Sequence, residues 1–285
     1  MVVVKRYDEA YAHHRVAMSP PISALRSTLM RIGNACLPPN VFYLEIESEG
    51  QRHRAKYALL DVDDLDRYTR PDCLQPYFWG RLAQPVAVVW SAGPESKTRL
   101  EDLLQQAQST MLAKIAPRIA LPAATTQLWS QGLADSYRTE FRAEKKQGRA
   151  SELAAFASDH YRDATERHAM SIGGTFSYAP DRDEALNPGE PLATAPAALL
   201  MRQYSAWDRR KSAVAWLLRR IQGRILQVMR LSKAAWTFDG GIEYLLWKIE
   251  RHSGVRVEPG PLTRKHPLLL GWIALWKARR QGGFK

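Results

Sequence analysis

The sequence predicts an α+β fold, on three observations. Short β-branched and aromatic runs are confined to the first ninety residues, helical periodicity takes over from Glu95, and charge is segregated along the chain rather than spread. At 285 residues, 45% hydrophobic and 25% charged, the chain can bury a core, which excludes a disordered tail.

The elements follow in order. Residues 2–4 (Val-Val-Val) read as a strand, and residues 22–32 as a helix with Ile22, Leu25, Leu29 and Ile32 on one face. Residues 40–47 and 54–60 form a hairpin about the Glu49-Gly50 turn. Residues 61–67 open a short helix, and Pro85-Val-Ala-Val-Val-Trp90 reads as a compact buried strand. Ser91-Ala-Gly-Pro94 then marks a boundary. Helices dominate from Glu95 to about Tyr161, with Leu100, Leu103, Leu104, Ala107 and Met111 on one face and a second run at 150–167. Glycines, prolines and acids without periodicity make 171–197 a linker. A long basic amphipathic helix is expected over 198–231, another over 242–252, and a last one over 262–280 after the Pro259 to Pro261 break. The expected organisation is a mixed domain at 1–93, a helical domain at 94–170, the linker, and a basic helical region at 198–285.

Lys and Arg total 41 against 29 Asp and Glu, yet from Met201 onward there are 18 against 5, so the basic excess lies wholly at that end. Six of the nine Trp lie there too (Trp207, Trp216, Trp236, Trp247, Trp272, Trp276). A basic, aromatic region implies a polyanionic partner, a membrane surface or nucleic acid. Cys36 and Cys73 stand alone, which supports neither a disulfide framework nor a zinc site and fits a reducing compartment. Met-Val-Val-Val-Lys-Arg is charged too early for a signal peptide, and no run of about 20 apolar residues is present, so the expected location is the cytosol or a membrane face.

Several side chains could carry chemistry. Glu45 and Glu47, two apart on a strand, put both carboxylates on one face. Same-face carboxylates suit Mg²⁺ in nucleotidyl transfer, and equally suit a solvated strand face. Asp61, Asp63, Asp64 and Asp66 read as the acidic start of a helix, with a metal site as the alternative. Lys56, on the strand opposite the acids, could meet a triphosphate, and Arg81 in an aromatic-lined turn after Tyr77-Phe-Trp-Gly80 fits either an anion ligand or a structural clamp. No GxGxxG, GxxxxGK[ST] or GxSxG motif occurs, so dinucleotide, P-loop and hydrolase readings lack their signatures.

The ordered set of short motifs is what identifies a family. Asn40-Val-Phe-Tyr43, then Lys56-Tyr57, then Tyr77-Phe-Trp-Gly-Arg-Leu-Ala-Gln-Pro-Val86, then Gly132-Leu and Ser136-Tyr-Arg-Thr-Glu-Phe-Arg142 resemble the Tam41-type phosphatidate cytidylyltransferases over roughly residues 1–165. Residues 238–254 are similar to bacterial members. The resemblance implies a partial nucleotidyltransferase-fold domain, a winged-helix-like helical domain and a membrane-associating C-terminal region. It implies conversion of CTP and phosphatidate to CDP-diacylglycerol and pyrophosphate with Mg²⁺, in phosphatidylglycerol and cardiolipin synthesis. By that resemblance Lys56 and Tyr57 match the family's active-site pair, Arg81 its Gly-Arg turn, Arg142 the Arg of its Asp-Phe-Arg element, and His14 a His after an acidic segment. The family's Gly-Ser motif and metal-binding Asp do not precede the Val2 strand here, Ala58 replaces a Gly, and Glu140 replaces the Asp of Asp-Phe-Arg. The resemblance therefore implies a start upstream of Met1, or a truncated, inactive relative that binds membrane or nucleic acid.

In the mechanism this implies, Glu45 or Glu47 completes the metal ligands, Lys56 stabilises the triphosphate, and Tyr57, Arg81, Arg142 and His14 bind substrate. At the basic end, Pro267 to Trp276 is an uncharged run of about half a membrane span, between Arg264-Lys265 and Lys277-Ala-Arg279-Arg280. With Trp272 and Trp276 at headgroup depth, this fits an interfacial helix, and an ordinary helix packed on the protein is the alternative. The expected location is peripheral, on the cytoplasmic face of a bacterial inner membrane or the matrix face of the mitochondrial one, with nucleic acid not expected as a partner.

Overall fold

The computed structural model describes residues 1–17, 23–140, 146–178 and 198–237, and the fold is mixed α+β. It divides into two compact units, one built from Met1–Arg67 and the chain from Gln222 onward, the other from Tyr68–Ile221.

The first unit opens with β1 (Val2–Val4), α1 (Tyr7–Ala17), α2 (Ala24–Cys36), β2 (Asn40–Ser48) and β3 (Gln51–Asp61). β3 is the central strand of a three-stranded sheet, antiparallel to β2 and parallel to β1, with Val3 beside Leu60. The hairpin is tight because Glu49 (φ 53°) and Gly50 (φ 71°) both take the left-handed conformation that a two-residue primed turn requires, and glycine adopts it without steric cost. α1, α2 and the hairpin bury Tyr7, Tyr11, Met30, Phe42 and Leu59 against one another.

α2 corrects the expectation from periodicity. Leu25, Leu29 and Ile32 are exposed (71%, 55% and 48%), whereas Ser27, Met30 and Asn34 are buried. Hydrogen bonding chooses this face. Asn34 Nδ2 donates to the Leu59 carbonyl at 3.1 Å, the Asn40 N–H donates to Asn34 Oδ1 at 2.6 Å, and Asn40 Nδ2 donates to the Met30 carbonyl at 2.8 Å and to the Tyr11 hydroxyl. Turning the leucines inward would expose these groups and break the network, which outweighs the apolar area regained. The helix starts after Ser23, whose hydroxyl accepts the Arg26 N–H at 3.2 Å.

α3 (Val62–Thr69) leads into the second unit, which continues with α4 (Trp79–Leu82), α5 (Pro94–Ile115), β4 (Ala123–Ala124), α6 (Thr125–Tyr137), α7 (Lys146–Phe156), α8 (Ser158–Ala169), β5 (Thr175–Tyr178) and β6 (Ala198–Met201). Its small sheet has the order β4-β6-β5, all antiparallel. α9 (Ala206–Thr237) contributes its first half here and its second half to the first unit. The core holds Leu103, Met111, Leu112, Ile115, Leu128, Trp129, Tyr161 and Trp216. The buried face of α5 includes the expected Leu103, Ala107 and Met111. Gly132 permits the close crossing of α6 over α5, because a Cβ there would lie 2.5 Å from Ile115 Cγ2.

Four further expectations are corrected. Residues 85–90 form no strand: Val89 and Trp90 are 94% and 79% exposed, and neither described sheet includes them. A β-branched run becomes a strand only where a neighbour completes its ladder. Within the expected linker, residues 175–178 form β5 and pair with β6, which itself occupies the first positions assigned to the long helix. α9 begins instead at Ala206, where Ser205 Oγ accepts the Asp208 N–H at 3.1 Å and Asp208 Oδ2 accepts the Ser205 N–H at 3.2 Å, a reciprocal cap. The run at 150–167 is two helices that meet at Ala157.

Candidate functional site

A cluster of charged side chains surrounds the C-terminal end of α6. α4 abuts this end closely, a Cβ on Gly80 reaching 3.1 Å from Ser136 Cβ. Arg81, on α4, turns its guanidinium over the Tyr77 ring, 3.9 Å from the centroid, and donates to the Tyr77 carbonyl at 2.8 Å. The same group grips Glu140 two-handedly, at 2.8 Å from Nη2 to Oε2 and 2.6 Å from Nη1 to Oε1. Burial opposes the charge on Arg81, but the facing Glu140 outweighs it and lifts the pKa above the ordinary arginine value. A planar fork on a carboxylate with an aromatic beneath it is the arrangement arginine makes and lysine cannot. One turn earlier, Asp135 is fully buried and meets Arg138 Nη1 at 2.9 Å, Arg118 Nε at 3.3 Å and Arg220 Nη2 at 3.5 Å.

The hairpin of the first unit carries the other predicted positions. In its register Tyr43 is opposite Lys56, Glu45 opposite Arg54, and Glu47 opposite Arg52, so positions 43, 45, 47, 52, 54 and 56 share one face. Lys56 and Glu47 are exposed. Tyr57, on the other face, is partly buried and stacks on Phe42 at 5.4 Å, and burial raises its phenol pKa. His14 lies on α1. The acids after β3 take the helix-start role: Asp61 Oδ1 accepts the Asp64 N–H at 2.8 Å, and Asp64 accepts the Tyr7 hydroxyl at 2.7 Å and pairs with Arg67.

Mg²⁺ prefers near-octahedral oxygen ligands. The hairpin offers two acid positions, each opposite an arginine position, and no group of three or more His, Cys, Asp or Glu among the described residues could hold a metal ion. The described residues do not by themselves fit that site. Arg142 and the predicted membrane residues Arg264, Lys265, Trp272, Trp276, Lys277, Arg279 and Arg280 lie outside the described residues. Among those described, no helix is long and apolar enough to cross a membrane.

Sequence reasoning singled out Arg81 but missed the Asp135 cluster. Its three arginines come from residues 118, 138 and 220, and no spacing rule links them; Asp135 itself falls between the Gly132-Leu and Ser136 to Arg142 motifs and belongs to neither. Set beside known proteins, the chain matches no family model and no curated sequence.

Proposed function

We propose that the chain is a phosphatidate cytidylyltransferase of the family its motifs resemble. The observation that carries this reading is the Arg81–Glu140 pair: the Gly-Arg turn and the segment matching Asp-Phe-Arg, 59 residues apart, meet through a two-handed ion pair. A motif resemblance requires its separated pieces to meet, and these two do. Further support comes from the β1-β3-β2 sheet, which suits part of a nucleotidyltransferase fold, and from helices followed by the small β4-β6-β5 sheet, which suits a winged-helix-like domain.

In the proposed reaction a phosphate oxygen of phosphatidate attacks the α-phosphorus of CTP. The new P–O bond forms as the bond to the bridging α–β oxygen breaks, and that oxygen leaves on pyrophosphate with its electron pair. Lys56, exposed on the hairpin, neutralises triphosphate charge, and the motif resemblance assigns Tyr57 and His14 to substrate binding. Arg81, committed to Glu140, positions the α6 end.

The lipid substrate calls for a peripheral membrane contact. The described part of the basic region supports one: α9 exposes Val214, Leu217, Leu218 and Ile221 as a stripe at helical spacing, preceded by exposed Trp207, Arg209, Arg210 and Lys211. The test is CDP-diacylglycerol formation by the full chain from CTP and phosphatidate-containing vesicles. Lys56→Ala is expected to lower turnover by about 10²-fold or more without changing the melting temperature. Unchanged turnover in that variant would remove Lys56 from the site.

A further inference from the structure

Asp135 draws more positive charge than it needs. Its carboxylate is 0% exposed and each of the three guanidinium groups spends a single nitrogen on it: Nε of Arg118, Nη1 of Arg138 and Nη2 of Arg220. One negative charge faces three positive ones, and each guanidinium retains N–H donors that Asp135 does not use. Arg220 Nε is buried and has no hydrogen-bond partner. A buried donor left unsatisfied is costly, so its persistence needs a reason. The next residue back repeats the pattern. Arg219 is 4% exposed, lies over the Trp216 ring at 5.2 Å, and its Nε also lacks a partner. Burial, with Arg219 nearby, pushes the Lys114 ammonium down. The arginine side chains are nonetheless reachable from solvent, at 23%, 40% and 33% exposure.

We propose that Arg118, Arg138 and Arg220 form a binding site for a phosphate group, with Asp135 as the buried post that holds the three guanidinium groups converged. The ligand class is a phosphate monoester or the end of a polyphosphate, a tetrahedral dianion whose oxygens match guanidinium forks. The site stands on its own geometry. It deepens the cytidylyltransferase reading, and rests on it, only in naming the phosphate of phosphatidate or the triphosphate of CTP as the natural ligand.

The experiment is isothermal titration calorimetry of the full chain with inorganic pyrophosphate, with CTP and with short-chain phosphatidate. Each is compared with the Arg118→Gln and Arg220→Gln variants and with Arg162→Gln, which alters an arginine paired to Asp159 and Asp163 in the same unit. The expected result is binding by the wild type, a loss of about tenfold or more in each of the first two variants, and no change in the third. Pyrophosphate and CTP binding would assign the polyphosphate as source, and phosphatidate binding alone the lipid headgroup. If a glutamine variant loses its near-ultraviolet circular dichroism, Arg118→Lys, which keeps the charge without the fork, is read instead, with a loss of about fivefold expected. Equal affinity in all variants, or absence of binding by every phosphate compound, would overturn the site. CDP-diacylglycerol formation is measured in parallel. Turnover by wild type with variants that bind normally sinks the site and leaves the activity; variant-sensitive binding without turnover does the reverse.

Discussion

In the unit that carries the hairpin, the network between α1, α2 and the sheet is made of neutral amides and hydroxyls, Asn34, Asn40, Ser27 and Tyr11, joined to one another and to backbone carbonyls. In the unit that carries α6, the cluster at the end of that helix is charged, with Asp135 and Glu140 gripped by four arginines. The neutral network serves architecture: it fixes which face of α2 meets the sheet. The charged one holds more donors than its carboxylates can use, and surplus donors are what an anionic ligand needs. A buried polar network is thus informative about function through its imbalance, not its size.

Variants can break or sharpen this contrast. The largest loss is expected for Asp135→Ala, which strands three converged guanidinium groups. Their partial exposure keeps the cost near the low end of the range for breaking a buried pair, about 3 kcal/mol in denaturant unfolding. Asn40→Ala follows at about 2 kcal/mol, since it removes the side-chain donor that the Met30 carbonyl and the Tyr11 hydroxyl share. If Asn40→Ala proves costlier than Asp135→Ala, the ranking of the two networks is wrong. Glu140→Gln should cost least, about 1 kcal/mol, because Arg81 is partly exposed and the amide keeps one acceptor. Repeating the series in about 1 M salt should shrink the Glu140→Gln cost and leave Asn40→Ala unmoved. On the proposed function, Glu140→Gln lowers turnover more than its stability loss explains, a split that a purely structural ion pair would not give.

Local chemistry was legible in the sequence, and long-range chemistry was not. The Glu49-Gly50 turn, the α5 core face and the acidic start of α3 depend on residues within one turn of each other, and each stands where periodicity put it. The α2 face was misread because leucine spacing carries no record of the Asn34 and Asn40 partners waiting on β3 and α1. The 85–90 run was misread because strand formation depends on an edge elsewhere. β5 was hidden in a glycine-rich stretch whose partner, β6, lies twenty residues on. Of the candidate site, the motifs placed Arg81 and Glu140, while the arginines around Asp135 become a cluster only once α5, α6 and α9 have packed.

The most direct measurement is transfer of label from radioactive CTP into the lipid fraction by the purified full chain, with phosphatidate vesicles and Mg²⁺ supplied. The account predicts CDP-diacylglycerol and an equal amount of pyrophosphate, both dependent on phosphatidate and lowered about 10²-fold or more by Lys56→Ala. A folded, CTP-binding chain that forms no labelled lipid under these conditions would contradict it.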